Sequence, residues 1–480
     1  MFKQTQKQQE QDFKYSVLDG MFWVIMNSLA LVFLSPYIIE LGASPLQIGI
    51  LESLPTFIAS FLPFISFAIL KSFNSKKDFV VFFVTIQALL WFPLAVLKFL
   101  VTDNNIAINL IIFIYVLIIS AGTITTPVYR DWISKVFIFK KMGSYLARKA
   151  ALVDLFSIVP LIATSLFLDL FNKTQSLLLG FSLVFIIGGV CRLFSASYIN
   201  RMSVTETKED LIKESNFNNK KSIFKIFNEE VLKDKQFTYF LIVVIILFFG
   251  IYIADPFFKY YFLKIININY SQYIILQIAY ILGSVLSSFY WGKIADNYGA
   301  TKILKTILFF MPFYPLLVLL AKSNLILLAF VNFFGGLVWA GLLLGIYDYF
   351  YQNVKKDIIN HFSLYIISAS LAMFIGSLVG AEIFKQASNR YNSELIAITI
   401  IFVLSAVVRY FCLLYIHKIK DIKRKEINLT WSIILLKPIT YGLERFYSFI
   451  IHEEKEIIQK ISLGEKKIIS KISLRKNHKA

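Results

Sequence analysis

Charge is what this sequence has least of for its length. Only 16% of its 480 residues are Asp, Glu, Lys or Arg, while 57% are hydrophobic, against about 25% and 45–50% in soluble domains. Such an excess of apolar residues cannot be hidden in a water-soluble core. Cysteine is nearly absent. Cys191 and Cys412 both fall inside apolar runs, which excludes a disulfide framework and leaves two small buried hydrophobes. The histidines His361, His417, His452 and His478 are scattered, so neither a metal site nor a cofactor is expected. There is no H-E-x-x-H, no Walker lysine loop and no nucleophile elbow. No connecting loop is long enough to house a nucleotide-binding domain, which argues against an enzyme or an ATP-driven pump.

What the sequence has is long apolar runs. About 20 helical residues cross the ~30 Å hydrocarbon core of a bilayer. Twelve runs of that order lie at about 16–39, 46–70, 79–101, 106–127, 147–169, 176–199, 237–260, 271–291, 303–321, 325–348, 361–384 and 394–416. An all-α membrane protein of twelve transmembrane helices is expected. The opening residues, MFKQTQKQQEQDFKYS, are too long and too polar for a cleaved signal peptide, so the first run reads as a retained helix.

The formal net charge of +19 invites a nucleic-acid reading, but the location of the charge decides against it. With the N-terminus inside, 40 of the 49 Lys and Arg fall in segments on that side. This is the positive-inside pattern, and it predicts cytoplasmic termini in the plasma (inner) membrane. The counterpart of the basic surface is then anionic lipid at the cytoplasmic face, not nucleic acid.

A polar stretch, 201–236, divides the runs into two sets of six. The expected organisation is an N-terminal tail 1–15, a six-helix bundle 16–200, a cytoplasmic linker 201–236, a second bundle 237–417 and a basic tail 418–480. The two bundles echo each other: GGVCRLFSASYI ends the sixth run and SAVVRYFCLLYI the twelfth, with Arg192 and Arg409 in matching places. Parallel six-span repeats are a known transporter architecture. The tail alternates apolar residues such as Trp431, Phe446 and Ile450 with charges, a pattern suited to a helix on the membrane surface.

Between the eighth and ninth runs stands WGKIADNYGATK. With twelve spans, a central loop and cytoplasmic termini, this turn resembles the signature of the major facilitator superfamily, roughly G-x-x-x-D-R-x-G-R-R/K. Gly292, Asp296, Gly299 and Lys302 match it, while Asn297 and Ala300 stand where basic residues are usual. PVYRDWISKVF, GSYLARKAA and ADPFFKYYFLK resemble one bacterial and archaeal branch of that superfamily. The equivalent first-bundle turn, AILKSFNSKKDF, lacks the acid. The resemblance implies two pseudo-symmetric six-helix bundles. It also implies a gate in which Asp296 meets the start of the fifth span near Arg148, closing the cytoplasmic side. Gly292 is expected to allow close helix packing and Gly299 a tight bend.

A charge at bilayer depth costs about 2.5–3.5 kcal/mol on insertion scales, so each embedded ionisable residue needs a partner or a wet cavity. The resemblance places spans one, four, seven and ten around the central cavity, which makes Asp19, Asn27, Asp255, Asn332 and Trp339 cavity candidates. Other embedded charges are Glu52, Asp154, Arg192, Glu382 and Arg409. Arg192 and Arg409 are expected to snorkel to lipid phosphate, with an Arg192–Asp154 pair as the alternative. The expected function is secondary transport of a small solute by alternating access, by a monomer, with a proton or another cation as coupling partner. The competing readings are a transporter-like receptor or assembly factor, and a lipid or oligosaccharide flippase.

Overall fold

The computed structural model describes residues 6–136, 156–204, 234–353 and 358–419. The basic tail beyond 419 and most of the linker lie outside them. The described residues are helical and contain no strand. In chain order the helices are α1 (Gln6–Met26), α2 (Val32–Glu40), α3 (Pro45–Ala59), α4 (Leu62–Leu70), α5 (Lys76–Leu100), α6 (Asn104–Thr123), α7 (Thr126–Val136), α8 (Ile158–Lys173) and α9 (Leu177–Asn200). The second set is α10 (Lys235–Tyr260), α11 (Tyr270–Tyr298), α12 (Ala300–Phe310), α13 (Phe313–Ala321), α14 (Leu325–Asn353), α15 (Ile358–Tyr391) and α16 (Glu394–Ile416).

Short polar caps start these helices. Ser44 and Gln47 form a reciprocal capping box with Pro45 at the first position, which satisfies amides that a helix start leaves free. Asp103, Asp234 and Ser393 cap α6, α10 and α16 by accepting from backbone amides of the first turn, without the reciprocal bond. Breaks follow local chemistry too. A π-helical turn, Asn27–Leu31, joins α1 to α2. Gly299, at φ +88°, turns the chain from α11 into α12, a backbone setting that glycine adopts without strain.

Ten helical stretches among the described residues are long and apolar enough to cross a membrane. The expected second span appears as the shorter pair α3 and α4. The expected fifth is seen only as α8, because residues 137–155 before it are not among those described.

Packing divides the molecule into three apolar cores. One core draws on both segments of the chain, with Phe33, Tyr37, Phe181 and Phe185 against Phe257, Tyr270, Tyr273 and Phe384. It lies at the end that carries Glu40 and Lys264. Toward the other end, among the described residues, the buried core falls into two clusters, one from residues 70–202 and another from residues 237–419. Within the second segment, α11 and α14 approach closely at Gly283 and Gly336. A Cβ on Gly336 would run into the Tyr280 carbonyl, and one on Gly283 into that of Phe333.

Candidate functional site

Arg192 sits on α9, and its guanidinium turns inward. It is buried, with Nε donating to Gln87 Oε1 (2.8 Å) and Nη1 to Ser195 Oγ (2.8 Å). Ser195 Oγ in turn donates to Asp19 Oδ1 (2.7 Å), and Tyr129 Oη donates to Asp19 Oδ2 (3.1 Å). Gln87 closes the chain by donating to the Ile118 carbonyl (3.0 Å). Lipid snorkelling is therefore wrong for Arg192, because its side of α9 faces α5 and α1. Asp154, the alternative partner, lies outside the described residues. Asp19 is likewise occupied by this network and is not among the cavity-lining residues described next.

The cavity belongs to the second segment. It encloses about 230 Å³ and is lined by Asp255, Lys259, Tyr273, Asn332, Trp339 and Arg409, with further tyrosines and phenylalanines. Three expected candidates, Asp255, Asn332 and Trp339, are thus brought together. Asn27 is half-buried at the first residue of the π turn, away from this lining.

Arg409 joins the cavity from α16 and is almost fully buried, so it too does not reach lipid phosphate. Its Nη1 donates to the Met311 carbonyl (3.2 Å) and its Nη2 to that of Ile251 (3.4 Å). The Met311 carbonyl is available because Pro315, four residues on, has no N–H to offer it. Arg409 Nε has no partner, and neither does the buried Tyr273 hydroxyl. Asp255 feels the charges of Glu52, Lys259 and Arg409 but makes no hydrogen bond or ion pair with them. Asn332 is anchored by its own helix through the Leu328 carbonyl (2.8 Å) and accepts from Tyr314 Oη (3.2 Å).

One turn along α10 from Asp255, Lys259 reaches across to the first segment. Its Nζ pairs with Glu52 on α3 and donates to Ser35 Oγ on α2 (3.3 Å), while Ser35 also donates to Glu52. Other contacts between the segments lie at the same end. Lys264 pairs with Glu40 (3.6 Å), and the start of α11 bonds to Asp169 through the Tyr270 amide (3.2 Å) and the Ser271 amide and hydroxyl. Deeper in, Ser53 and Ser377 share a hydrogen bond and Phe57 stacks on Phe374.

The remaining candidates are dispersed. Glu382 is exposed and accepts from Gln386 (2.8 Å). Lys302 is half-buried near the start of α12. Among the described residues, nothing lies within 4 Å of a Cβ built on Gly292. Arg148 and the side chain of Asp296 are outside the described residues. Sequence reasoning did not single out Gln87, Lys259, Ser35 or Tyr273. The first is an uncharged residue in an apolar run, and Lys259 stands at the end of one, where a lysine reads as part of the loop.

Residues 240–451 match the family model described as Major Facilitator Superfamily. The match spans under half of the chain, and over that part the sequence resembles the major facilitator superfamily. Its fold agrees with solved structures of such transporters. A mutant of the nucleoside transporter NupG gives a TM-score of 0.63 at 14% identity, covering 85% of this chain and 99% of that one. An inward-facing, occupied bacterial homologue of the human lysosomal transporter Spinster also gives 0.63, at 12% identity over 91% and 99% of the two chains. A structure on proton-dependent oligopeptide transporters gives 0.61, at 11% identity over 86% and 98%. No curated protein matches the sequence. The chain accordingly shares the fold of these transporters, and ten helical stretches among its described residues are long and apolar enough to cross a membrane.

Proposed function

We propose that this protein is a secondary transporter working by alternating access, in which bundles 16–200 and 237–417 rock about the cavity at Asp255 and Arg409. One observation carries this reading: the apolar core is shared by both segments at the Glu40 end and separates into two at the other. A molecule that must open alternately at its two ends needs contacts of this kind, which close one end and can be remade at the other. The charge distribution of the loops supports cytoplasmic termini in the plasma membrane, with anionic lipid against the basic inner surface. In that orientation the Glu40 end, where the described contacts between the segments lie, is extracellular.

The proton is the coupling ion in this reading. Asp255 is a carboxylate in the cavity without a hydrogen bond, one helical turn from the lysine that ties the segments together. Loading Asp255 alters the field at Lys259, and through it the contact with Glu52. The test is counterflow in proteoliposomes across a broad panel of metabolites, with a thermal-shift screen of the purified protein to choose solutes. Counterflow of at least one solute is expected, together with accumulation under an imposed inward proton gradient. Asp255→Asn should keep the exchange and lose the accumulation. Absence of flux for every binding solute would turn the assignment to a receptor.

A further inference from the structure

We propose that the solute is a small organic carboxylate with a flat apolar body, and that it crosses together with one proton carried by Asp255. This rests on the transport reading and deepens it. Two donors inside the one cavity lack acceptors: Arg409 Nε, on a residue 2% exposed, and the hydroxyl of Tyr273, on a residue 0% exposed. Buried donors of this kind are rare unless something occupies them. What both require is an acceptor. With its two Nη groups already on the Met311 and Ile251 carbonyls, Arg409 has its Nε–H left without an acceptor in the cavity wall, and a carboxylate is the acceptor that gains most from a guanidinium.

Charge accounting leads to the same class. Arg192, the echo of Arg409 in the first segment, reaches a carboxylate through Ser195, whereas Arg409 has no ion pair. The groups facing Asp255 are Glu52 from α3, Lys259 and Tyr252 from α10, Tyr273 and Tyr280 from α11, Tyr314 from α13 and Arg409 from α16. Glu52 and Lys259 neutralise each other, as do Asp255 and Arg409 at longer range. An entering carboxylate adds one negative charge, and a proton on Asp255 restores neutrality, which a site at bilayer depth favours. Trp339, Phe258 and Phe262 supply flat apolar walls, and 230 Å³ is below the roughly 300–1,000 Å³ of drug-sized sites.

The test compares four probes in proteoliposomes, corrected for protein-free vesicles: 3-phenylpropionate, L-phenylalanine, 2-phenylethylamine and uridine. The proposal expects 3-phenylpropionate to exchange best, with uptake accompanied by proton uptake in equal number. Arg409→Gln should weaken its apparent affinity by about tenfold or more, and Tyr273→Phe, which removes only the hydroxyl, by a smaller factor. Melting temperatures of both variants separate loss of binding from loss of fold, and the probe series on the unaltered protein needs no variant at all. Preference for the amine, the zwitterion or uridine over the acid overturns the carboxylate assignment and leaves the transport reading standing. Movement of none of the four also overturns it, whereas the transport reading falls only if the broad panel gives no counterflow.

Discussion

Arg192 and Arg409 stand at matching places in two echoing stretches of sequence, yet they carry different loads. Arg192 is saturated by Gln87 and Ser195 and linked to Asp19, so it holds α9, α5 and α1 together. Arg192→Gln leaves buried polar groups without partners and should lower stability by roughly 1–3 kcal/mol. The check is a lower thermal midpoint with unchanged solute affinity in the folded fraction, a separation not expected for Arg409. Glu52 belongs to a third class. Its pair with Lys259 joins the two segments, and a hydrogen bond to a charged group is worth about 1.5–3 kcal/mol. Glu52→Gln should therefore shift the population toward opening of the Glu40 end, read as increased labelling of cysteines placed there. The embedded charges other than Lys259 were legible as residues needing partners. Which partner each one has was not, because an apolar run fixes depth in the bilayer but leaves the direction a side chain faces to the packing of neighbouring helices. Lipid snorkelling of the two arginines failed for that reason.

At the scale of elements, apolar runs translated into helices with little loss. The breaks were harder to read. The π turn at Asn27 has no proline or glycine beside it, whereas the interruption at residues 60–61 stands just before Pro63 in the first turn of α4, whose missing N–H favours a helix start there. Glycines divide sharply once helix contacts are known. Gly336 faces the Tyr280 carbonyl across the α11–α14 contact, so Gly336→Ala forces the helices apart and should cost roughly 1–3 kcal/mol. Gly292 lies within α11 with open space around it, and Gly292→Ala should leave stability unchanged or raise it by about 0.5–1 kcal/mol. Thermal midpoints of the two variants in the same detergent compare these directly. A destabilised Gly292→Ala would mean that this glycine has a packing role after all.

For the whole molecule, the polar stretch 201–236, the paired echoes and the sorting of basic residues point to two bundles. The contacts between the segments were not legible, because they join residues far apart in the sequence. The expected latch at Asp296 would close the cytoplasmic end. The contacts described between the segments instead close the Glu40 end, from Lys264–Glu40 inward to Ser53–Ser377. If transport proceeds by alternating access, those contacts must break in every cycle. Ser53 and Ser377 have side-chain oxygens 2.5 Å apart and come from different segments, which makes them a place to prevent the break. The decisive measurement is counterflow by Ser53→Cys/Ser377→Cys in proteoliposomes, using a solute that the unaltered protein exchanges, after oxidation with a membrane-permeant oxidant. The predicted result is loss of counterflow in the cross-linked protein and its return on reduction with dithiothreitol, with both single-cysteine variants active throughout. Undiminished counterflow with the cross-link in place would contradict rocking of the two bundles about this cavity.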